Sequence, residues 1–166
     1  WTPHNANGRF SNDSITLKAA FARSINSVAV RLGQEMGIKN IIRTAQDMGI
    51  KSPLDDEPSL ALGSSDVNLL ELVNAYCTVA NDGEHHEPVV ITRILDKDGN
   101  EVYVAPREHN KALPYKTAFL MQQMLKAGVN EGGGTSQALR QYLPTTDTDW
   151  GGKTGTSNNH SDAWFM

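Results

Sequence analysis

Cysteine is nearly absent: Cys77 stands alone among 166 residues, so this chain cannot build an intramolecular disulfide or a multi-thiolate metal site. Long apolar runs are missing as well. No stretch of about 18 apolar residues reads as a membrane span, and no basic-then-apolar targeting segment lies within the chain. Positive charge is scarce: 15 Lys and Arg against 19 Asp and Glu leave a formal net charge of -4, with no local basic run to attract nucleic acid or anionic lipid. An anionic ligand must therefore be caught by a local site.

What is present is an ordinary globular composition, 39% hydrophobic and 20% charged, long enough for one domain with its own core. Helical spacing dominates. It predicts helices over Ile15–Arg23, over Ser27–Met36 up to Gly37, through Ile41, Ile42, Ala45 and Met48 up to Gly49, and over Pro114–Ala127, with a short one over Thr135–Tyr142. Leu69, Leu72, Val73, Tyr76 and Ala80 mark another, with Ser65 or Asp66 as its N-cap and Cys77 as a buried core thiol. Strands are fewer. VVITRIL and EVYV flank the turn Asp96–Asn100, and DWGGKTGTS with SDAWFM suggests a second hairpin around Asn158-Asn159-His160. Gly132, Gly133 and Gly134 read as a hinge or cap without a chemical role. Both ends read as internal cuts, because Trp1 opens without a lead-in and the chain stops within Ala163-Trp164-Phe165-Met166. Helices first and strands late predict an α+β fold, helices packed on an antiparallel sheet that this chain supplies only in part.

Three familiar motifs fail. Gly152-Lys153-Thr154 has the tail of a phosphate-binding loop, but the leading glycine should stand where Asp147 does. Asp96, Asp98 and Asn100 space like a calcium loop, yet Glu101 replaces the required glycine and Arg107 the closing glutamate, which leaves a plain turn. His85 and His86 lack the spacing that puts two imidazoles on one helix face, and are expected to be solvated loop residues. His4, His109 and His160 are too scattered to argue a histidine-based triad.

One string remains. Lys153-Thr154-Gly155-Thr156 would arise by chance in well under about 1% of chains this size, whereas Ser-x-Asn, present as Ser24-Ile25-Asn26, occurs in roughly half of them. Together, in this order, and within TLKAAFARSINSVAV, PSLALGSSDVNLLELVNAYCTVANDG and GGKTGTSNNHSDAWF, they make the chain resemble the transpeptidase domains of penicillin-binding proteins, above all the class A, bifunctional ones. That family shares its acyl-serine chemistry with the serine β-lactamases and uses S-x-x-K, S-x-N and K-T-G. The first element is missing: no serine here has a lysine three places on.

The resemblance implies a truncated, C-terminal part of a transpeptidase domain over residues 1–166, with a partial β-lactamase-like fold and its nucleophile upstream. It implies acyl transfer from peptidoglycan stem peptides ending in D-Ala-D-Ala, without metal or organic cofactor, and with β-lactam antibiotics entering the same site. Lys153 would supply positive potential, the Thr154 and Thr156 hydroxyls would bind the terminal carboxylate, and Gly155 would let the substrate lie along the strand. The Thr156 N–H would donate to the oxyanion, Ser24 would relay a proton to the leaving group, and the Asn26 amide would clamp the acyl side. It further implies a membrane-anchored parent with an upstream glycosyltransferase domain and this part outside the cytoplasmic membrane. The segment alone is expected to be inactive. Two other readings stay open: a non-catalytic penicillin-recognising sensor, and a hydrolase such as a β-lactamase or D,D-carboxypeptidase.

Overall fold

A computed structural model describes residues 1–10, 13–144, 148–157 and 163–166. Five α-helices are found among these: α1 (Leu17–Ala22), α2 (Asn26–Met36), α3 (Ile38–Asp47), α4 (Leu69–Ala80) and α5 (Tyr115–Asn130). Short 3-10 helices cover Pro58–Leu62 and Gln137–Gln141, the second replacing most of the helix expected over Thr135–Tyr142. The structure is α+β, and every strand pairing is antiparallel, as the sequence suggests. The strands form three separate two-stranded ribbons among the described residues: β1 (Glu84–His86) with β4 (His109–Lys111), β2 (Arg93–Leu95) with β3 (Glu101–Val104), and β5 (Thr154–Thr156) with β6 (Ala163–Phe165).

The core lies where α1, α4 and α5 meet. Val79, Leu113 and Leu125 are buried together, with Phe21, Tyr76 and Met121 packed against them. Ala20 and Ala22 of α1 and Ala118 and Ala127 of α5 are also buried, small residues that let these two helices approach closely. This contact positions the two motif segments, because α1 ends beside Ser24 while α5 is bonded to the residue before Lys153. Gly152, just before β5, donates its N–H to the Leu125 carbonyl at 3.1 Å and so ties the strand to α5.

Several local expectations need correction. The N-cap of α4 is Asn68, whose Oδ1 accepts the Leu70 N–H at 2.8 Å. Ser65 is instead engaged with Asp55, accepting its N–H at 3.0 Å and donating to its carboxylate at 3.0 Å, and Asp66 lies too far from the first turn to cap it. Cys77 is exposed, because Ala75, Thr78 and Val79 form the buried stripe of α4 and Cys77 falls off it. His85 is not solvated: it lies in β1 at 3% exposure, its Nδ1 3.3 Å from both Asn74 Nδ2 and Thr78 Oγ1. His86, its neighbour, faces outward and stacks on His109 across the ribbon, ring centroids 5.4 Å apart. The Asp96 turn behaves as a plain turn, its Oδ1 accepting the Asp98 and Asn100 N–H groups at 2.8 and 2.9 Å. The turn expected at Asn158-Asn159-His160 lies outside the described residues, although the two strands it would join do pair.

Candidate active site

Ser24 occupies the bend between α1 and α2. Its N–H donates to Phe21 O at 3.0 Å and that of Ile25 to Ala20 O at 3.0 Å, and its φ of 54° lies in the left-handed region that few non-glycine residues adopt. A serine before a helix is ordinarily drawn into capping it. Here Ile25 is the N-cap of α2 and offers no side-chain bond; Asn5, from the N-terminal segment, accepts the Ser27 N–H at 3.0 Å instead. The Ser24 hydroxyl is thereby left to face Lys153.

That lysine immediately precedes β5. Its Nζ donates to Ser24 Oγ at 2.8 Å and to the Thr154 carbonyl at 2.8 Å. The side chain is half-buried, and loss of hydration holds its pKa below the ordinary lysine value. Asn26, at the start of α2, donates from Nδ2 to the His4 carbonyl at 2.7 Å. Thr154 Oγ1 meets Thr135 Oγ1 at 2.7 Å. Ser24, Asn26 and residues 153–156 all line one cavity of about 1190 Å³, whose lining also includes the apolar Phe21, Val28 and Leu32 and the polar Ser59, Ser64 and Asp66.

The ladder between β5 and β6 decides which backbone groups face this cavity. Lys153 and Met166 exchange both hydrogen bonds, N to O at 2.8 and 3.1 Å, and the register runs Thr154 to Phe165, Gly155 to Trp164 and Thr156 to Ala163. Antiparallel pairs alternate between bonded and non-bonded positions. Gly155 therefore bonds toward β6, while the N–H and C=O groups of Thr154 and Thr156 point to the outer edge of the ribbon. Gly155 itself has open space around it: a Cβ there would meet nothing within 4 Å. No described residue needs a glycine at that point.

All six residues singled out in the sequence thus border one space. Sequence reasoning missed three others: Asn5, whose side-chain Oδ1 caps α2 in place of Ser24, His4, whose backbone carbonyl engages Asn26, and Thr135. Nothing in their local sequence points to these contacts, which span 22, 22 and 19 residues.

A second cavity, about 580 Å³, lies along β2 and β3 and is lined by Val89, Ile91, Ile94 and Tyr103 with Lys51 and Glu87. It gathers no hydroxyl or amide cluster comparable to the first. No helix among the described residues is long and apolar enough to cross a membrane.

Comparison with known proteins identifies the family of the chain. The family described as "Penicillin binding protein transpeptidase domain" matches residues 1–163. Penicillin-binding protein 2D of Bacillus subtilis is 35% identical over 168 residues, a match covering 100% of this chain and 24% of that protein. Penicillin-binding protein 1B of Haemophilus influenzae is 30% identical, with 100% of this chain and 21% of the relative covered. The chain therefore spans less than a quarter of the length of these relatives. Among solved structures, penicillin-binding protein 1A of Haemophilus influenzae superposes with a TM-score of 0.86 at 26% identity, over 99% of this chain and 30% of that one. The D,D-transpeptidase domain of a peptidoglycan glycosyltransferase from Eggerthella lenta shares the fold with a TM-score of 0.75 at 23% identity, over 97% and 46% of the two chains. Matched almost from end to end by one sequence family and superposable on its solved members, this chain belongs to the penicillin-binding protein transpeptidase family.

Proposed function

We propose that this chain is the substrate-holding part of a serine D,D-transpeptidase domain, which cross-links peptidoglycan by acyl transfer from stem peptides ending in D-Ala-D-Ala. The observation that carries the reading is the 2.8 Å contact between Lys153 Nζ and Ser24 Oγ on the wall of the cavity. A serine on an S-x-x-K element outside residues 1–166 would border this cavity and attack the penultimate carbonyl. As the C–N bond breaks, the departing D-Ala amine needs a proton. Ser24 accepts from Lys153, so its own O–H proton is directed elsewhere, which suits a relay to that amine.

The terminal carboxylate needs cationic potential and donors held in place before it arrives. Lys153 supplies the first, and the Thr154 and Thr156 hydroxyls supply the second. The outward N–H of Thr156 is positioned to be one oxyanion donor, with the N–H of the nucleophilic serine as the other. The bare backbone at Gly155 lets the substrate lie along the edge of β5 as an added strand. The Asn26 amide already donates to a peptide carbonyl, that of His4, which is the chemistry required for clamping the acyl side of a stem peptide. β-Lactams carry the same carboxylate and reactive carbonyl and enter the same site. No step calls for a metal or an organic cofactor. The parent protein is read as membrane-anchored, with a glycosyltransferase domain upstream and this domain outside the cytoplasmic membrane.

The test is to label the full-length parent with a fluorescent penicillin and locate the adduct by mass spectrometry. The adduct is expected on an upstream serine, and labelling should fall steeply in the Ser24→Ala and Lys153→Ala proteins. Binding of penicillin without any adduct would favour the sensor reading, and rapid loss of the adduct by hydrolysis would favour the hydrolase.

A further inference from the structure

The glycine-rich loop before the second 3-10 helix has a chemical use after all. Gly134 donates to the Glu131 carbonyl at 3.0 Å and Ser136 to the Gly128 carbonyl at 3.1 Å, which folds the loop back on the end of α5. Gly133 has a φ of 82°, and a Cβ at Gly134 would collide with the Gly128 carbonyl, so the fold needs glycine at both positions. The loop delivers Thr135 to the place where the two motif segments meet. Its N–H donates to the Ala22 carbonyl at 3.0 Å, two residues before Ser24, and its hydroxyl touches that of Thr154 at 2.7 Å.

We propose that Thr135 is a positioning residue: it aims the Thr154 hydroxyl at the substrate carboxylate and thereby favours ligands that carry a free acid. The argument is one of proton count, and it rests on the carboxylate-binding role proposed for Thr154 above. Each hydroxyl has a single proton, and a carboxylate can only accept. For Thr154 to donate to the ligand, its oxygen must be the acceptor in the bond with Thr135. Thr135 then fixes the rotor of Thr154 with its one proton directed into the cavity, before any ligand arrives. Without that donor the Thr154 hydroxyl is free to turn toward other acceptors, and part of the preorganisation is lost.

The experiment measures second-order acylation rates of the full-length parent with benzylpenicillin and with its carboxylate methyl ester, for wild type, Thr135→Val and Thr135→Ser. Valine keeps the shape and the backbone bond to Ala22 but removes the hydroxyl. Thr135→Val should slow the free acid by about tenfold, the scale of one charge-directed hydrogen bond, leave the ester nearly unchanged, and be rescued by Thr135→Ser. Equal slowing of acid and ester, or no slowing of either, would overturn the proposal and leave Thr135 as a structural bracket. A wild type that does not prefer the acid over the ester would overturn the carboxylate reading itself. If the wild type prefers the acid and Thr135→Val keeps that preference, only the role of Thr135 fails.

Discussion

Lys153 Nζ and Ser24 Oγ lie 2.8 Å apart although 129 residues separate them in the chain. The contact joins the α1–α2 bend to the edge strand β5, and it brings an ammonium into a partly dehydrated position. Burial lowers its pKa. Among the described residues no carboxylate pairs with Lys153, which suits the carboxylate-binding role proposed for it above.

Its pH consequence has a definite sign. A base whose folded pKa lies below its unfolded value destabilises the fold while protonated, and stability rises as pH climbs through the folded pKa toward the unfolded one. Ligand capture moves the opposite way, since the charge that attracts the carboxylate is lost over that same range. Acylation of the parent by benzylpenicillin should therefore decline on the alkaline side at a lower pH than an ordinary lysine, about 10.4, would give. Lys153→Arg should shift that decline upward; an unchanged alkaline limb in a folded Arg variant would remove Lys153 from the titration.

Because the two groups touch, their losses should not add. Ser24→Ala and Lys153→Ala are each expected to reduce acylation on the order of a hundredfold or more, and the double variant should fall well short of the product of the two. Stopped-flow rates for all four proteins give the coupling, and a fully multiplicative loss would contradict the contact.

Gly155 separates ligand fit from folding. Since a Cβ there meets nothing within 4 Å and its φ is not left-handed, Gly155→Ala and Gly155→Val should melt at the wild-type temperature. Both should bind β-lactams more weakly, valine more than alanine. A drop in melting temperature with affinity intact would mean that the open space serves packing.

The 166-residue chain by itself should form no covalent penicillin adduct, because none of its serines has a lysine three residues on. Intact-mass measurement after prolonged incubation checks this, and an adduct would place the nucleophile within residues 1–166.

Much of this site was legible in the sequence because its chemistry sits in short strings. Lys153-Thr154-Gly155-Thr156 and Ser24-Ile25-Asn26 each carry their residue types at fixed spacing, and periodicity gave α4 and α5 to within a few residues. The misses have a common physical origin in long-range contacts. Three-residue strands such as β1 and β4 have too little alternation to be seen, so the burial of His85 was hidden until α4 was packed against it. Ser65 was a plausible cap until Asp55 claimed its hydroxyl. The antiparallel, incomplete sheet was legible from the hairpins, while the separation of the described strands into three ribbons was not, since the relation between hairpins is encoded in no local pattern. Thr135 looked like the start of a helix, and its use appears only when β5 is laid beside it.

The left-handed backbone at Ser24 sets stability and chemistry against each other at a single codon. Glycine accepts that φ at no steric cost, whereas serine is strained there by about 1 kcal/mol. A screen that rewards only heat resistance should enrich Ser24→Gly and return proteins that are sturdier and inert. Hydroxyl-bearing residues will persist at position 24 only under selection for turnover.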